Sequence, residues 1–384
     1  MYSRILQKVA QNQAAMTGIR NTLHQCPGLG FEVSETADII EKYLSRWKIP
    51  YRRLSNNGII AEIGKKGQKV LAIRADMDGL QIYEGAGNPF KSRHEGIMHA
   101  CGHDAHMAIV MGAAKTLKET ENDLNGIVRF IFQPAEETAL GANQMIAAGC
   151  LHYVNAIIGL HVDPSMEAGC VGMKNGTVFA GTSPFDIRIK GKSVHIANHQ
   201  EGIDAALIAA KILCSLDTYF YGKENVVAKI GTMSAGTVRN AIAEEAVLKG
   251  SLRIFSSEAR SFYQKKIQQT AQKIAEKNGG TASVAFKEGC PVLSNNHTAL
   301  NRLFRLSIQE IGIDLKEIEH PPFTGEDFAF FSQHVPSLYF RLGCRNEEKG
   351  IAHPLHSNLF DIDESCLSVG CSAICTFAIN YLNN

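Results

Sequence analysis

The densest group of metal-binding side-chain types in this chain is the segment His99-Ala-Cys101-Gly-His103-Asp104-Ala-His106. Cys101 and His103 stand two apart in a glycine-containing stretch ahead of a predicted helix, so both can point the same way. Thiolate with imidazole suits zinc or a similar borderline divalent ion. The plain alternative is a histidine-rich helix start beside a buried thiol. It loses force because further ligand types follow predicted strands. Asp76 and Asp78 come after the apolar run 70–75, Glu136 and Glu137 after 127–132, and His161 after 156–160.

Each of these segments implies a division of labour. The side chains of Glu136 and Glu137, adjacent in sequence, point apart, so one can bind metal while the other faces the water on it. Such a pair supplies a ligand and a general base. Asp76 and Asp78 read as carboxylates that orient a metal-bound histidine, with direct ligation or an Asp-Gly turn as alternatives. His161 ends AIIGLH, and a further histidine is available in HPLHSNLFDID, where His356 competes with His353.

The elements that must position these groups follow from periodicity. Apolar runs at 58–63, 70–75, 127–132 and 156–160 alternate with helical patterns at 34–47, 105–118 and 141–148. That alternation predicts an α/β layer structure with a largely parallel central sheet flanked by helices. In such a sheet the crevice beyond the carboxyl ends of the strands takes the ligand, so the separate segments converge there. After residue 179 the order becomes strand (185–189), helix (204–216), strands (226–232 and 246–254) and helix (257–277), as in a small split βαβ domain. The chain then returns to helix, a short strand at 337–342 and a final apolar helix at 366–381. The expected division is a catalytic domain of 1–179 and 294–384, interrupted by an inserted domain at 180–293.

Length and charge bound the function. A chain of 384 residues can bury more than one core. Its 39 basic and 38 acidic side chains nearly cancel, which argues against nucleic acid or an anionic membrane and for a small-molecule substrate. The first twenty residues carry charges and amides and lack a signal-peptide core. No apolar stretch is read as approaching the roughly 18 to 20 residues that span a bilayer, so a soluble, cytoplasmic protein is expected. Ten cysteines without regular spacing read mostly as buried free thiols.

The motifs RADMDGL, MHACGHDAHMA, FQPAEE, GLHV, GTSPFDIRIKGKSVH, TGEDFAFF and LHSNLFDID together resemble a known family. It is the metal-dependent amidohydrolase group of hippurate hydrolase, indole-3-acetyl-amino-acid hydrolases and N-acetyldiaminopimelate deacetylase, related to aminoacylases and carboxypeptidases. The resemblance runs from about His24 to the last helix. It implies a zinc-peptidase-like catalytic domain with a mostly parallel mixed sheet, plus a smaller ferredoxin-like α+β domain that acts as lid and dimerisation surface. It further implies a dinuclear site with Cys101 bridging two divalent ions and His103, Glu137, His161 and His356 completing their coordination. Glu136 becomes the general base, which passes a proton from the water to the leaving amine. His195 becomes the oxyanion stabiliser, in its own subunit or across a homodimer, and Asn240 and Arg253 become ligands of the substrate carboxylate. Two stretches depart from the family pattern, Lys192-Ser-Val-His195-Ile-Ala-Asn198-His199 and Gln81 with Tyr83-Glu-Gly-Ala-Gly-Asn88. Both are expected to line the acyl or amino-acid pocket.

The function expected is hydrolysis of an N-acyl-amino acid by a metal-activated water. Dipeptidase or aminopeptidase activity on the same site is the alternative, and a non-catalytic metal or ligand binder the third reading. Manganese or zinc is the expected metal pair, and cobalt and nickel fit the same mixed shell.

Overall fold

The structure is a computed structural model that describes residues 2–65 and 69–383. Along the chain come α1 (Tyr2–His24), α2 (Ser34–Arg46), β1 (Tyr51–Arg53), β2 (Ile59–Gly64), β3 (Val70–Asp76), α3 (His103–Glu119), β4 (Ile127–Gln133), α4 (Gly141–Ala147), β5 (Ala156–Glu167) and β6 (Cys170–Met173). Next are β7 (Gly176–Phe179), β8 (Gly181–Lys190), α5 (Ala205–Phe220), β9 (Val226–Ala235), β10 (Glu245–Ile254), α6 (Ser257–Lys277) and β11 (Thr281–Phe286). The chain ends with β12 (Leu293–Asn295), α7 (Thr298–Glu310), β13 (Asp314–Glu317), α8 (Phe328–Ser332), β14 (Ser337–Arg345) and α9 (Ser365–Asn383).

Two compact units result. The first runs through Gly176 and resumes over Ser294–His320 and from Asp327 onward; the second comprises Thr177–Leu293 and Pro321–Glu326. This division differs from the expected 180–293 insertion at residues 177–179 and at 321–326.

The first unit is built on a mixed sheet of order β1-β2-β4-β3-β5-β14-β6-β13. Its centre is parallel, with β3 pairing β4 on one side and β5 on the other, and β5 pairing β14. Because β3 connects to β4 on one side while β5 returns on the other, the strand order reverses beside β3. A crevice opens at such a reversal. Pairing between β3 and β5 ends at Ile73 and Ile158, whereas β5 continues along β14 past His161. His161 is therefore inside a strand, not after one, at the point where β3 has fallen away.

Helix α3 is apolar or small through its middle, with Ala105, Met107, Ala108, Ile109, Val110, Met111, Ala113 and Ala114 all buried. A helix of that kind belongs in the interior, here between α1, α9 and the sheet. The last helix corrects the hydropathy reading. Helix α9 has 19 residues and a window of mean hydropathy 1.5, long and apolar enough to cross a membrane by length and composition. However, 72% of that window is buried inside the protein, where α9 packs on α1, α3 and α7. Sequence reading finds this apolar helix at 366–381, and its interspersed Ser, Cys, Thr and Asn residues make it look too short and too polar to span.

The second unit has a four-stranded antiparallel sheet of order β11-β8-β10-β9. With α5 and α6 this is the βαββαβ arrangement of a ferredoxin-like domain, completed by β11, which the sequence reading lacked. Its own core gathers Phe185, Ile187, Ile208, Ile212, Leu248 and Ile267. The cysteines are all free, with Cys214 alone exposed.

Candidate active site

The site in the first unit begins with a glycine. Gly102 sits between Cys101 and His103 at φ 82°, a left-handed conformation, and caps α3. A Cβ there would lie 2.4 Å from Cγ2 of Val162, so no larger residue fits. This turn leaves Cys101 just ahead of the helix and His103 as its first residue. The Cys101 sulfur lies 3.4 Å from Nε2 of His161. Nδ1 of His103 pairs with the backbone carbonyl of Asp78 at 2.8 Å, and Nδ1 of His161 with that of Val162 at 2.7 Å. A carbonyl only accepts, so each Nδ1 carries the proton and each Nε2 keeps a lone pair for a ligand bond.

Asp78 also builds the glutamate turn. One of its carboxylate oxygens accepts the backbone N–H of Glu136 at 3.0 Å, and the other accepts that of Glu137 at 3.1 Å. Asp78 thus orients His103 through its main chain and holds the two glutamates through its side chain. The sequence reading gave it one such role, without separating the two atoms.

Donor atoms then cluster. Cys101, His103 and His161 each place a ligand atom within 4.8 Å of the others, and Cys101, Glu137 and His356 form a second such group. Cys101 belongs to both. His356 arrives on an irregular loop at φ 64°, with its N–H on the carbonyl of Ala100 at 2.8 Å. His353 joins neither group.

The donor set fits divalent metal on two counts. Nε2 of His103 and Oε1 of Glu137 are buried, make no hydrogen bond and lie 3.9 Å apart. Two buried polar atoms left so would each cost about 1–3 kcal/mol, and a cation between them removes that penalty. Burial also pushes the Cys101 thiol far up. Its ionised form therefore requires a cation beside it. Burial and the neighbouring His106 hold His161 well below the usual histidine range, in the neutral form that binds metal.

Asp76 lies against two histidines, with its Oδ2 3.8 Å from Nε2 of His103. Its Oδ1 accepts Nδ1–H of His106 at 2.7 Å, and Nε2 of His106 accepts the N–H of Val162 at 2.9 Å. Both nitrogens of His106 are committed, so Asp76 orients a histidine that braces β5. Burial opposes ionisation of Asp76, but His103, His106 and Arg74 hold its carboxyl well below the usual range. Arg74 donates to Asp76 and to Asp327, both at 2.6 Å, and to Gln133 at 2.8 Å. The Asp327 N–H donates to Oε1 of Glu136 at 3.3 Å. No spacing in the sequence relates these residues, since Arg74 and Asp327 are 253 positions apart.

The remaining expected residues are in the second unit. His195 is exposed, its Nδ1 accepts the N–H of Ala197 at 3.2 Å, and it pairs with Ala241 in an isolated bridge. Ile196 donates to the carbonyl of Asn240 at 3.0 Å, so His195 and Asn240 are neighbours. Arg253 is half-buried near the far end of β10, with Nε on Ser251 Oγ at 3.0 Å. Asn240 precedes the Glu245 end of that strand, which separates it from Arg253 by roughly 25 Å at about 3.3 Å per residue. Within one chain, Asn240 and Arg253 do not meet on one small carboxylate. The departing stretch at 83–88 is also split: Tyr83 is 72% exposed, while Glu84 turns inward and is buried.

Comparison with known proteins follows the same lines. The chain is 35% identical over 359 residues to N-acetyl-L-cysteine deacetylase of Bacillus subtilis (strain 168), covering 92% of this chain and 84% of that protein. It is 34% identical over 378 residues to IAA-amino acid hydrolase ILR1-like 4 of Arabidopsis thaliana, covering 96% and 86%. Among solved structures, the Bacillus subtilis YXEP protein, described as a dinuclear metal binding peptidase, superposes with a TM-score of 0.87 at 32% identity over 97% of this chain and 99% of that one. The profile of peptidase family M20/M25/M40 matches residues 72–380. A thiol shared by two donor groups, in a fold and sequence held in common with these proteins, makes this chain a member of peptidase family M20/M25/M40, a metal-dependent hydrolase of amide bonds with a dinuclear metal site.

Proposed function

We propose that the protein hydrolyses N-acyl-amino acids, releasing a carboxylic acid and a free amino acid. The observation that supports this reading is the placement of the two glutamates: both share a donor group with His103, Glu137 also joins Cys101 and His356, and Glu136 has Oε1 on the Asp327 N–H. Cys101, His103, Glu137, His161 and His356 would hold two divalent ions, manganese or zinc foremost. When bound, they polarise the scissile carbonyl and lower the pKa of the attacking water. Glu136 takes the proton from that water and delivers it to the leaving nitrogen. Arg253 pairs with the substrate carboxylate through its planar fork. His195 and Asn240, remote from Arg253 within one chain, serve the site of a second copy in a homodimer, where His195 stabilises the oxyanion. Two of the relatives named above are described as an N-acetyl-L-cysteine deacetylase and an IAA-amino acid hydrolase, which supports this substrate class.

A peptidase reading is favoured by the description of the YXEP protein. One assay separates the two. Purified, metal-loaded protein is offered N-acetyl, N-benzoyl and N-indoleacetyl amino acids beside dipeptides. Turnover of the acylated amino acids that disappears in Glu136→Ala supports the proposal. Cleavage of dipeptides alone, or full turnover by Glu136→Ala, overturns it.

A further inference from the structure

The last turn of α1 lies behind the candidate metal centre, and it carries a histidine and an arginine, one helical turn apart, that face the same way. His24 is fully buried. Its Nδ1 is 2.8 Å from Oδ2 of Asp104, and its Nε2 is 3.1 Å from Oε1 of Glu84. Each carboxylate belongs to a segment that delivers a metal ligand. Asp104 is the residue after His103 in the first turn of α3. Glu84 is followed by Gly85, whose N–H donates to the carbonyl of Asn358 at 2.8 Å, on the loop that carries His356.

That second connection has no slack. A Cβ on Gly85 would lie 3.0 Å from the Asn358 backbone oxygen, so the two segments of chain approach closely there. Glu84 is further fixed by the Ser92 N–H at 2.7 Å and by Asn88 Nδ2 at 3.1 Å. Arg20 repeats the pattern, with Nε on Asp104 at 2.8 Å and Nη2 on Asp361 at 2.6 Å, again one contact towards each segment. Bridging two acids in this way requires His24 to donate from both ring nitrogens. Burial opposes that charge, but Asp104 and Glu84 outweigh it and raise His24 to about 9.

We infer that His24 is a positioning residue for the dinuclear site: its two ring nitrogens set the approach of the His103 segment and of the His356 loop independently, each governing one of the two metal positions. This rests on His103 and His356 being ligands, as proposed above. Loss of the Glu84 contact loosens the position at Cys101, Glu137 and His356. Loss of the Asp104 contact loosens the position at Cys101, His103 and His161. Arg20 keeps both segments in the fold in either case.

The two arms can be cut separately, because an asparagine amide nitrogen stands where Nδ1 was and a glutamine amide nitrogen where Nε2 was. The full chain, stripped of metal, is titrated with Zn2+ against a chromophoric chelator, and its melting temperature is recorded. His24→Asn should weaken one zinc equivalent, and His24→Gln the other, each by up to about tenfold, the lower end of the effect for a group bonded directly to a ligand. His356→Ala and His103→Ala identify the equivalents, each abolishing one. Should both His24 variants fail to fold, Glu84→Ala, in the segment between β3 and α3, carries the test and should weaken only the equivalent lost in His356→Ala. Wild-type affinity at both positions in the folded variants, or equal weakening of both, overturns the inference while leaving the ligand assignment standing. Two intact zinc equivalents in His103→Ala and His356→Ala overturn the ligand assignment and this inference with it.

Discussion

The sulfur of Cys101 lies 3.4 Å from Nε2 of His161, although the two residues are 60 positions apart. Both groups are buried beside His103 and Glu137, and a cation held by the thiolate and the imidazole would offset the cost of burying them. Cys101→Ala should therefore lose bound metal and turnover together, as read by elemental analysis and activity on the same sample. Cys371→Ala, in the core of α9, should keep both and change only stability. Retention of two ions by Cys101→Ala would falsify the shared-ligand reading.

Glu136 and Glu137 should fail in different ways. Glu136→Gln should lower kcat by about 10²–10⁴-fold, the usual contribution of a general base, with metal content and KM little changed. Glu137→Gln should lose metal first. Equilibrium dialysis alongside steady-state kinetics distinguishes the two, and equal metal loss in both variants would sink the division of roles.

Gly102→Ala should be severe for a reason independent of chemistry. The position combines φ 82° with a 2.4 Å approach to Val162. Left-handed backbone costs a non-glycine residue about 1–3 kcal/mol before any clash is relieved. Relief moves either Cys101 and His103 or the β5 strand that carries His161. The expected result is a lower melting temperature together with weaker metal binding. A fall in melting temperature with unaltered metal affinity would show that the turn only stabilises.

The metal-free protein should lose stability as pH rises from about 6.5 to about 9. His24, raised to about 9 in the folded protein, has an unfolded pKa near 6.5. A group raised on folding contributes in full below its unfolded value and loses that contribution as pH passes its folded one. The change is at most about 3 kcal/mol by linkage. Urea unfolding at pH 6 and pH 9 measures it, and His24→Gln should flatten the difference. An identical slope in wild type and variant would remove His24 as its source.

The candidate ligands were legible because their chemistry is local. Cys101 and His103 flank a glycine that only a tight turn needs, and Glu136-Glu137 follows an apolar strand. Strand positions before the ligands were also legible, because period and β-branched runs are local signals. Strand β5 was read too short, since its outer half, Asp-Pro-Ser-Met-Glu, lacks an apolar pattern and is held by pairing with β14. Strand β13 has a single apolar residue, Leu315, and β11 alternates weakly through Ala282, Val284 and Phe286, too short a signal to stand out beside the long helix before it.

By itself the sequence determined the ligand types, the family and the alternation of elements that brings them to one crevice. Only the tertiary structure decided what supports them. It put His356, and not His353, in a donor group with Cys101 and Glu137, set Asp76 against His106, and brought Arg74 to Asp327 and His24 to Glu84. It also put Asn240 in the loop before β10 and Arg253 near the other end of that strand. These relationships join positions with no spacing in common, and each depends on which strand lies beside which and on where a buried charge finds its partner. A linear pattern carries neither.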